Sequence, residues 1–258
     1  MKKFYCFVTF LIYIIAGFSE GSSSYHVFVF GDLTGSTVPG IYEKAVMECQ
    51  RLKPDLALTV GDQIWGETND LRVLNERWDK YFTLVKPLSM PLYLCPGNND
   101  IENDVMADLW KKRTGKLIYY SFDFKGDHYV MLDSSRWDNP QSLPEEMLEW
   151  LQVDLAKAGS ARYRIVIIHR PYWFMASMVL QPDPLTRILQ NYDVNLVLSG
   201  HCHFHFYKEV KGILYIAAPS SGGGLPPLVS GAFFGYLWLT LSDEGIKWEA
   251  ERLTEAND

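Results

Sequence analysis

Short apolar runs alternate with longer amphipathic segments along this chain. The runs are rich in Val, Ile, Leu and Phe and are bounded by glycine, proline or polar residues, which predicts buried strands. They lie at 25–30, 55–60, 92–95, 164–168 and 196–198. Apolar positions at helical spacing predict helices as well. These span 41–52, 71–85, 101–113, 143–158 and 185–191. The alternation of strands and helices indicates an α/β domain.

Paired strands are predicted in the middle and at the end of the chain. Residues 119–124 and 128–133 form one pair, with Lys125, Gly126 and Asp127 as the turn between them. Further strands lie within 206–218 and 236–252. A glycine-rich loop, residues 219–231, separates these two regions, and we expect it to border the functional site.

Residues that bind metal ions stand directly after five of the predicted strands. In α/β sheets the carboxyl ends of the strands face the ligand, so these side chains are expected to meet. They are Asp32, Asp62, Asn98, His169 and the pair His201 and His203. Each motif alone is weak, since loop histidines are common, but the ordered set indicates a metal site. A shared carboxylate with histidines and an amide oxygen suits two cations about 3.5–4 Å apart.

The length and net charge of the chain limit the number of domains and the kinds of binding partner that we expect. The chain has 258 residues and 48% hydrophobic content, and no composition break divides residues 25–258, so one domain is expected. The formal net charge is -7 and no Lys/Arg run is present, which argues against a nucleic-acid-binding surface.

The first 24 residues have the pattern of a secretory signal. Lys2 and Lys3 precede an apolar stretch, residues 4–18, and small or polar residues follow it. The stretch is shorter than the ~20 residues of a membrane span, so we expect cleavage and export to the periplasm or the exterior. An uncleaved anchor in the membrane stays open as the alternative. The three later cysteines allow at most one disulfide, and buried thiols are the favoured interpretation.

The ordered ligands between Gly31 and His203 resemble the calcineurin-like metallophosphoesterase superfamily. The pattern of that family is Asp-x-His, Gly-Asp, Gly-Asn-His-Asp/Glu, a lone His and Gly-His-x-His. The resemblance implies a four-layer αββα sandwich in which two mixed β-sheets are flanked by helices. It also implies two divalent or trivalent metal ions (Mn, Fe or Zn). The implied activity is hydrolysis of small phosphomonoesters or phosphodiesters by a metal-activated hydroxide.

The resemblance also assigns residues. Asp62 would bridge the two metals, with Asp32 and His203 on the first metal. Asn98, His169 and His201 would bind the second. Asp62, Asn99, Asp100 and His205 are the candidate catalytic residues.

Three positions depart from the family pattern. Thr34 stands where the family has a ligand histidine, and Trp65 stands where the purple acid phosphatase branch has a ligand tyrosine. The first metal site is therefore one ligand short and is expected to be weak. Asn99 stands where the family has a histidine that protonates the leaving group or stabilises the transition-state charge, and an amide cannot supply a proton. Loss of a general acid costs about 10²- to 10⁴-fold in rate. His205 is a candidate substitute, although a strand residue without a catalytic role is the favoured interpretation.

Two alternatives to the two-metal hydrolase follow from these departures. One is a degenerate family member that binds metal or phosphate without turnover. The other is an enzyme in which the second metal site alone activates water. Aromatic residues also lie in the segments expected to face the site. They could stack on an aromatic part of the substrate, but packing in the core or at the rim of the site is the favoured interpretation. These aromatic residues are Trp65, Trp137, Tyr172, Trp173 and Phe174. Nothing in the sequence indicates the oligomeric state.

Overall fold

The computed structural model describes residues 24–176 and 183–253. The predicted signal segment lies outside the described residues, except for Ser24. Two mixed β-sheets face each other and helices cover their outer sides, which confirms the predicted fold class. Within the described ranges, no helix has the length and apolar character that a membrane span requires.

The first sheet has five strands, in the order β11-β10-β1-β2-β3. Their bounds are Tyr25–Phe30 for β1, Leu56–Thr59 for β2, Leu92–Tyr93 for β3, Gly235–Ser242 for β10 and Gly245–Arg252 for β11. Strands β1, β2 and β3 run parallel, and β10 runs antiparallel to β1. The carboxyl ends of β1, β2 and β3 therefore lie at the same edge.

The second sheet has six strands, in the order β4-β5-β6-β7-β9-β8. Their bounds are Tyr120–Phe124 for β4, Asp127–Leu132 for β5, Arg164–Ile168 for β6, Leu196–Ser199 for β7, Phe206–Val210 for β8 and Ile213–Ala217 for β9. Strands β5, β6, β7 and β9 are parallel neighbours. Side chains such as Val29, Leu58 and Ile167 fill the space between the two sheets.

Six α-helices of the described residues form the outer layers, and a short 3-10 helix spans Pro140–Ser142. The α-helices are α1 (Ile41–Leu52), α2 (Leu71–Val85), α3 (Asp104–Thr114), α4 (Glu145–Lys157), α5 (Tyr172–Ala176) and α6 (Pro184–Asn191). Helices α1, α2 and α3 pack on the first sheet through Tyr42, Trp78 and Trp110, and α4 and α6 pack on the second through Leu151 and Leu189. Large buried side chains on one side of each helix explain why these segments have an amphipathic pattern.

Several element boundaries differ from the sequence predictions. Helix α3 begins at Asp104, not at residue 101, because the side chain of Asn103 accepts a hydrogen bond from Met106 N and caps the helix. The turn between β4 and β5 is Lys125–Gly126 alone, with φ values of 49° and 86°. Helix α5 was not predicted. The cysteines Cys49, Cys95 and Cys202 are free thiols in the described structure, and the first two are buried.

His128 joins the β4–β5 pair to helix α4. Its Nδ1 lies 2.7 Å from Asp123 Oδ1 and its Nε2 lies 2.9 Å from Asp154 Oδ2. Burial lowers the pKa of His128, but hydrogen bonds to Asp154 and Asp123 outweigh it, so the pKa stands above its ordinary 6.5. The protonated ring is thus more favourable in the folded protein than in the unfolded chain.

We expect the stabilisation by His128 to depend on pH. It is complete below the ordinary pKa and is lost as pH rises through the raised pKa of the folded state. Urea unfolding of wild type and His128→Gln between about pH 5.5 and about pH 8.5 measures it. The difference in unfolding free energy should shrink as pH rises. A difference that is constant with pH would contradict this assignment.

Candidate metal centre

The loops after β1, β2, β3, β6 and β7 bring the predicted ligands to one edge of the sandwich. A carboxylate oxygen of Asp32, a carboxylate oxygen of Asp62 and a ring nitrogen of His169 all lie within 4.8 Å of one another. All three residues are buried. Two carboxylates and an imidazole at this spacing are a common ligand set for transition metals.

His169 is oriented by the backbone of the neighbouring sheet. Its Nδ1 lies 2.8 Å from the carbonyl oxygen of Val60. Because a carbonyl oxygen can only accept, Nδ1 carries the ring proton and donates this hydrogen bond. Its Nε2 lies 3.1 Å from Asn98 Oδ1 and 3.4 Å from Asp62 Oδ1. Burial lowers the pKa of His169 to about 3, which keeps the ring neutral. The lone pair of Nε2 and two oxygens thus face one point, as a cation requires.

His201 contacts both His169 and Arg170. His201 Nδ1 lies 3.3 Å from His169 Nε2, and Arg170 Nη1 donates to His201 Nε2 over 3.2 Å. Burial lowers the pKa of His201 to about 3. Sequence reasoning missed Arg170, although a cationic residue directly after the lone histidine was a visible signal. A cation at His201 Nδ1 would require the ring proton on Nε2, so the contacts of His201 with His169 and with Arg170 would both change.

The Asp32 carboxylate is fully buried and only partly satisfied. Its Oδ1 accepts a hydrogen bond from His201 N over 2.9 Å, whereas Oδ2 has no hydrogen-bond partner among the described residues. Burial raises the pKa of Asp32 to about 7, and the charge of Asp62 adds to this while His203 opposes it. An unpartnered buried carboxylate oxygen beside neutral imidazoles favours a bound cation. The residues therefore fit a metal ion.

His203 faces the same carboxylate from the opposite loop. Its Nδ1 donates to the carbonyl oxygen of Gly224 over 2.7 Å, and its Nε2 lies 4.0 Å from Asp32 Oδ1. Gly223 N also donates to the carbonyl oxygen of Asp32 over 2.5 Å. The glycine-rich loop 219–231 therefore contacts the site, and it orients both residues.

Thr34 and Asn99, two of the positions that depart from the family pattern, are joined by a hydrogen bond. Asn99 Nδ2 donates to Thr34 Oγ1 over 3.0 Å and to Asp62 Oδ2 over 2.7 Å. Asn99 N donates to Asp62 Oδ1 over 2.9 Å. Both oxygens of Asp62 are thus held by one residue, and the hydroxyl of Thr34 is occupied. Asn99 therefore positions the carboxylate that the sequence predicts to bridge the metals.

Asp100 braces the loop that carries Asp62. Its carboxylate accepts hydrogen bonds from the backbone N–H groups of four residues, which are Asp62, Gln63, Ile64 and Gly97. Burial raises the pKa of Asp100, as does the charge of Asp62, and these donors oppose the shift. The contacts give Asp100 a positioning part, through the backbone of Asp62.

Four predicted ligands have a left-handed backbone conformation. The φ values are 51° for Asp32, 60° for Asp62, 73° for His201 and 57° for His203. Such conformations cost about 1–3 kcal/mol each in a non-glycine residue and concentrate at functional sites. Hydrogen bonds to the surrounding loops offset this strain and direct the four side chains to one place.

A model of a known protein family matches residues 25–205, and its description is calcineurin-like phosphoesterase. The chain belongs to this family. Purple acid phosphatase 22 of Arabidopsis thaliana is 29% identical over 181 residues, which are 60% of this chain and 40% of that protein. A probable glycerophosphodiester phosphodiesterase of Arcobacter nitrofigilis is 28% identical over 163 residues, 58% of this chain and 57% of that protein.

Solved structures show the same fold at low identity. A dimetal phosphatase from Danio rerio is 11% identical, with a TM-score of 0.64 over 90% of this chain and 97% of that one. The chain spans about two fifths of the length of the plant phosphatase it matches. The stretch that the family model matches, residues 25–205, carries every predicted ligand.

His205 lies apart from the other predicted residues of this phosphoesterase domain. Its Nδ1 lies 2.9 Å from the carbonyl oxygen of Ala217, and its ring packs near Tyr207, Phe233 and Trp248. The described contacts do not bring it to Asp32 or to the ligands around it. The catalytic role of His205 stays a prediction that none of these contacts supports.

Gly97 lets two site loops approach each other. A Cβ atom at this position would overlap with N and Oδ1 of Asp62. We therefore expect Gly97→Ala to lower the unfolding free energy by about 1–3 kcal/mol and to weaken metal binding. Chemical denaturation and titration with Mn²⁺ measure the two effects. Gly159→Ala is the matched control, because the nearest atom to its Cβ would be 3.6 Å away. Equal stability of the two variants would refute the crowding argument.

Proposed function

We propose that this protein is a metal-dependent phosphoesterase that hydrolyses small phosphate monoesters or diesters. The observation that carries the proposal is the buried cluster of Asp32, Asp62 and His169, in which Asp32 Oδ2 has no hydrogen-bond partner among residues 24–176 and 183–253. Membership of the phosphoesterase family and relatives with phosphatase and phosphodiesterase names support this assignment.

The ligand roles follow the sequence assignment. Asp62 would bridge two ions, and Asp32 and His203 would complete the first site. The second site would consist of Asn98, His169 and His201. Nitrogen and oxygen ligands of this kind suit Mn, Fe or Zn. When bound, such ions supply Lewis acidity to water and to the phosphoryl oxygens. The first site is the weaker one, because the Thr34 hydroxyl is engaged with Asn99.

The residues of this chain perform the remaining tasks. Asn99 holds both oxygens of Asp62, and Asp100 holds the backbone of the same loop. The guanidinium of Arg170 lies beside His201 and also contacts Ser134 and Asp138, and an N–H group of it would donate to a phosphoryl oxygen. The Asn99 amide cannot protonate a leaving group. Esters with good leaving groups, such as aryl esters, are therefore the expected substrates.

We also propose that the protein is exported. The Lys2-Lys3 pair followed by the apolar residues 4–18 supports a cleaved secretory signal. Mass spectrometry of the protein recovered outside the cytoplasm tests this proposal. An N-terminus near residue 25 is expected, whereas retention of residue 1 in a membrane fraction would favour the uncleaved anchor. The net charge of -7 and the lack of a basic run support a small ester, not a nucleic acid, as the partner.

The deciding experiment combines metal analysis with hydrolysis. Purified protein is analysed for bound metal and assayed on an aryl phosphate and its diester analogue with Mn²⁺, Zn²⁺ or Fe. Bound metal with turnover supports the phosphoesterase, and about two ions per active chain would exclude the single-metal alternative. Metal without turnover would favour the degenerate alternative, which the Thr34–Asn99 bond motivates. Absence of metal binding would overturn the proposal.

A further inference from the structure

A cavity of about 580 Å³ lies beside the metal centre. Helices α1 and α2 and the loops after β1 and β2 form its walls. Apolar and aromatic side chains make up much of the lining, notably Leu33, Ile64, Trp65, Tyr81 and Leu84. The volume lies within the range of pockets that bind small organic molecules.

The cavity connects to the site through Thr34. This residue lines the cavity, and its hydroxyl accepts the hydrogen bond from Asn99 Nδ2. The same Asn99 amide donates to Asp62 Oδ2 over 2.7 Å. Leu33 and Gln63, which also line the cavity, directly follow Asp32 and Asp62 in the chain. A molecule in the cavity thus lies against the loops that carry the metal-binding carboxylates.

Trp65 is held in place as one wall of this cavity. The residue is 37% exposed, which is high for a tryptophan with no surface role. Arg77 donates to the carbonyl oxygens of Trp65 and Gly66. Glu102 accepts a hydrogen bond from Glu67 N over 2.8 Å and fixes the other end of the segment. The indole is therefore presented on a supported loop, and stacking on it needs little further ordering.

The charges at the cavity balance one another. Glu43 and Asp79 contribute two negative charges, and Arg77 and Lys80 contribute two positive ones. Such a lining gives no net attraction to an anion or a cation. An uncharged group with a flat apolar surface suits the indole and the leucine side chains better.

We propose that this cavity, the Trp65 pocket, receives the planar aromatic substituent of a phosphate ester whose phosphoryl group lies at the metal centre. The proposal rests on the phosphoesterase function and adds the chemical class of the substrate. It agrees with the absence of a proton donor at Asn99, since aryl oxides leave without full protonation more readily than alkoxides.

Binding of non-hydrolysable phosphonates tests the pocket separately from turnover. Calorimetry on the Mn²⁺-loaded protein compares 1-naphthylphosphonate, phenylphosphonate and inorganic phosphate. Wild type should bind the naphthyl compound about 5- to 10-fold more tightly than the phenyl compound. Trp65→Ala should reduce this ratio to about 1–2, while Trp65→Phe should retain part of it. Phosphate binding should change less than about twofold in both variants.

A second variant fills the pocket without touching the metal ligands. Thr83 is an exposed residue of α2 in the cavity wall, and Thr83→Trp should abolish the naphthyl preference. Tyr207→Ala removes an exposed aromatic ring elsewhere and is the matched control. The proposal is overturned if wild type does not prefer 1-naphthylphosphonate to phenylphosphonate. It is also overturned if the ratio of the two affinities is unchanged in Trp65→Ala or in Thr83→Trp. If the ratio behaves as expected but no ester is hydrolysed, the pocket stands and the phosphoesterase function fails.

Discussion

Asp62→Asn is expected to lower aryl phosphate hydrolysis by about 10³-fold or more. The wild-type carboxylate lies 3.4 Å from His169 Nε2, and both of its oxygens are fixed by Asn99. Asparagine is nearly the same size but carries no charge and offers one acceptor oxygen in place of two. It therefore cannot bridge two cations, and the buried negative charge that attracts them is lost.

Metal-dependent stability gives a readout that is independent of turnover. Ligand binding stabilises the folded state by about 2.7 kcal/mol at a concentration 100-fold above Kd. Wild type should thus unfold at a higher temperature with Mn²⁺ than with a chelator, whereas Asp62→Asn should show little difference. Without metal, the variant should unfold within about 1.5 kcal/mol of wild type, since removal of a buried charge offsets one lost hydrogen bond.

The control for this variant is Asp108→Asn, a surface carboxylate on α3 that is 82% exposed. It should retain activity and the response to Mn²⁺. A fully active Asp62→Asn protein, or one that is still stabilised by Mn²⁺ like wild type, would refute the bridging role. Loss of activity with an intact Mn²⁺ response would place Asp62 in catalysis but not in metal binding.

Asp100→Asn is expected to destabilise the protein by about 2–4 kcal/mol and to lower hydrolysis by about 10²-fold. The carboxylate accepts four backbone N–H groups, at 2.7 to 2.9 Å. A hydrogen bond to a charged group contributes about 1.5–3 kcal/mol net to stability, and the amide NH₂ of asparagine would face some of these donors. The loop that carries Asp62 would shift, so metal affinity would fall with stability.

The unfolding free energy of the Asp100→Asn variant distinguishes a positioning role of Asp100 from a direct catalytic role. The resemblance to the family pairs Asp100 with a histidine that is Asn99 in this chain, and a proton-relay residue without a partner would be dispensable. Urea unfolding of Asp100→Asn, with Asp108→Asn as the control, decides between the two. An Asp100→Asn protein with wild-type stability and wild-type Mn²⁺ affinity would contradict the proposal that Asp100 positions the Asp62 loop.

Strand-end ligands were predictable because they depend on local sequence. Asp32 and Asp62 follow apolar runs, and the parallel order of β1, β2 and β3 brings such residues together. The same reasoning placed Asn98, His169, His201 and His203 at one edge. Helix boundaries were less accurate at α3, because the cap at Asn103 depends on a side-chain hydrogen bond that apolar spacing does not report.

The sequence by itself determined the α/β class, the order of the predicted ligands and the three positions that depart from the family pattern. Only the tertiary structure decided what those positions do. Thr34 and Asn99 are 65 residues apart and are joined by a hydrogen bond, and the Asp100 carboxylate accepts a hydrogen bond from Asp62 N, 38 residues earlier. The Trp65 pocket likewise joins residues of two loops and two helices. Contacts of this kind depend on the packing of distant segments, and no local periodicity encodes them.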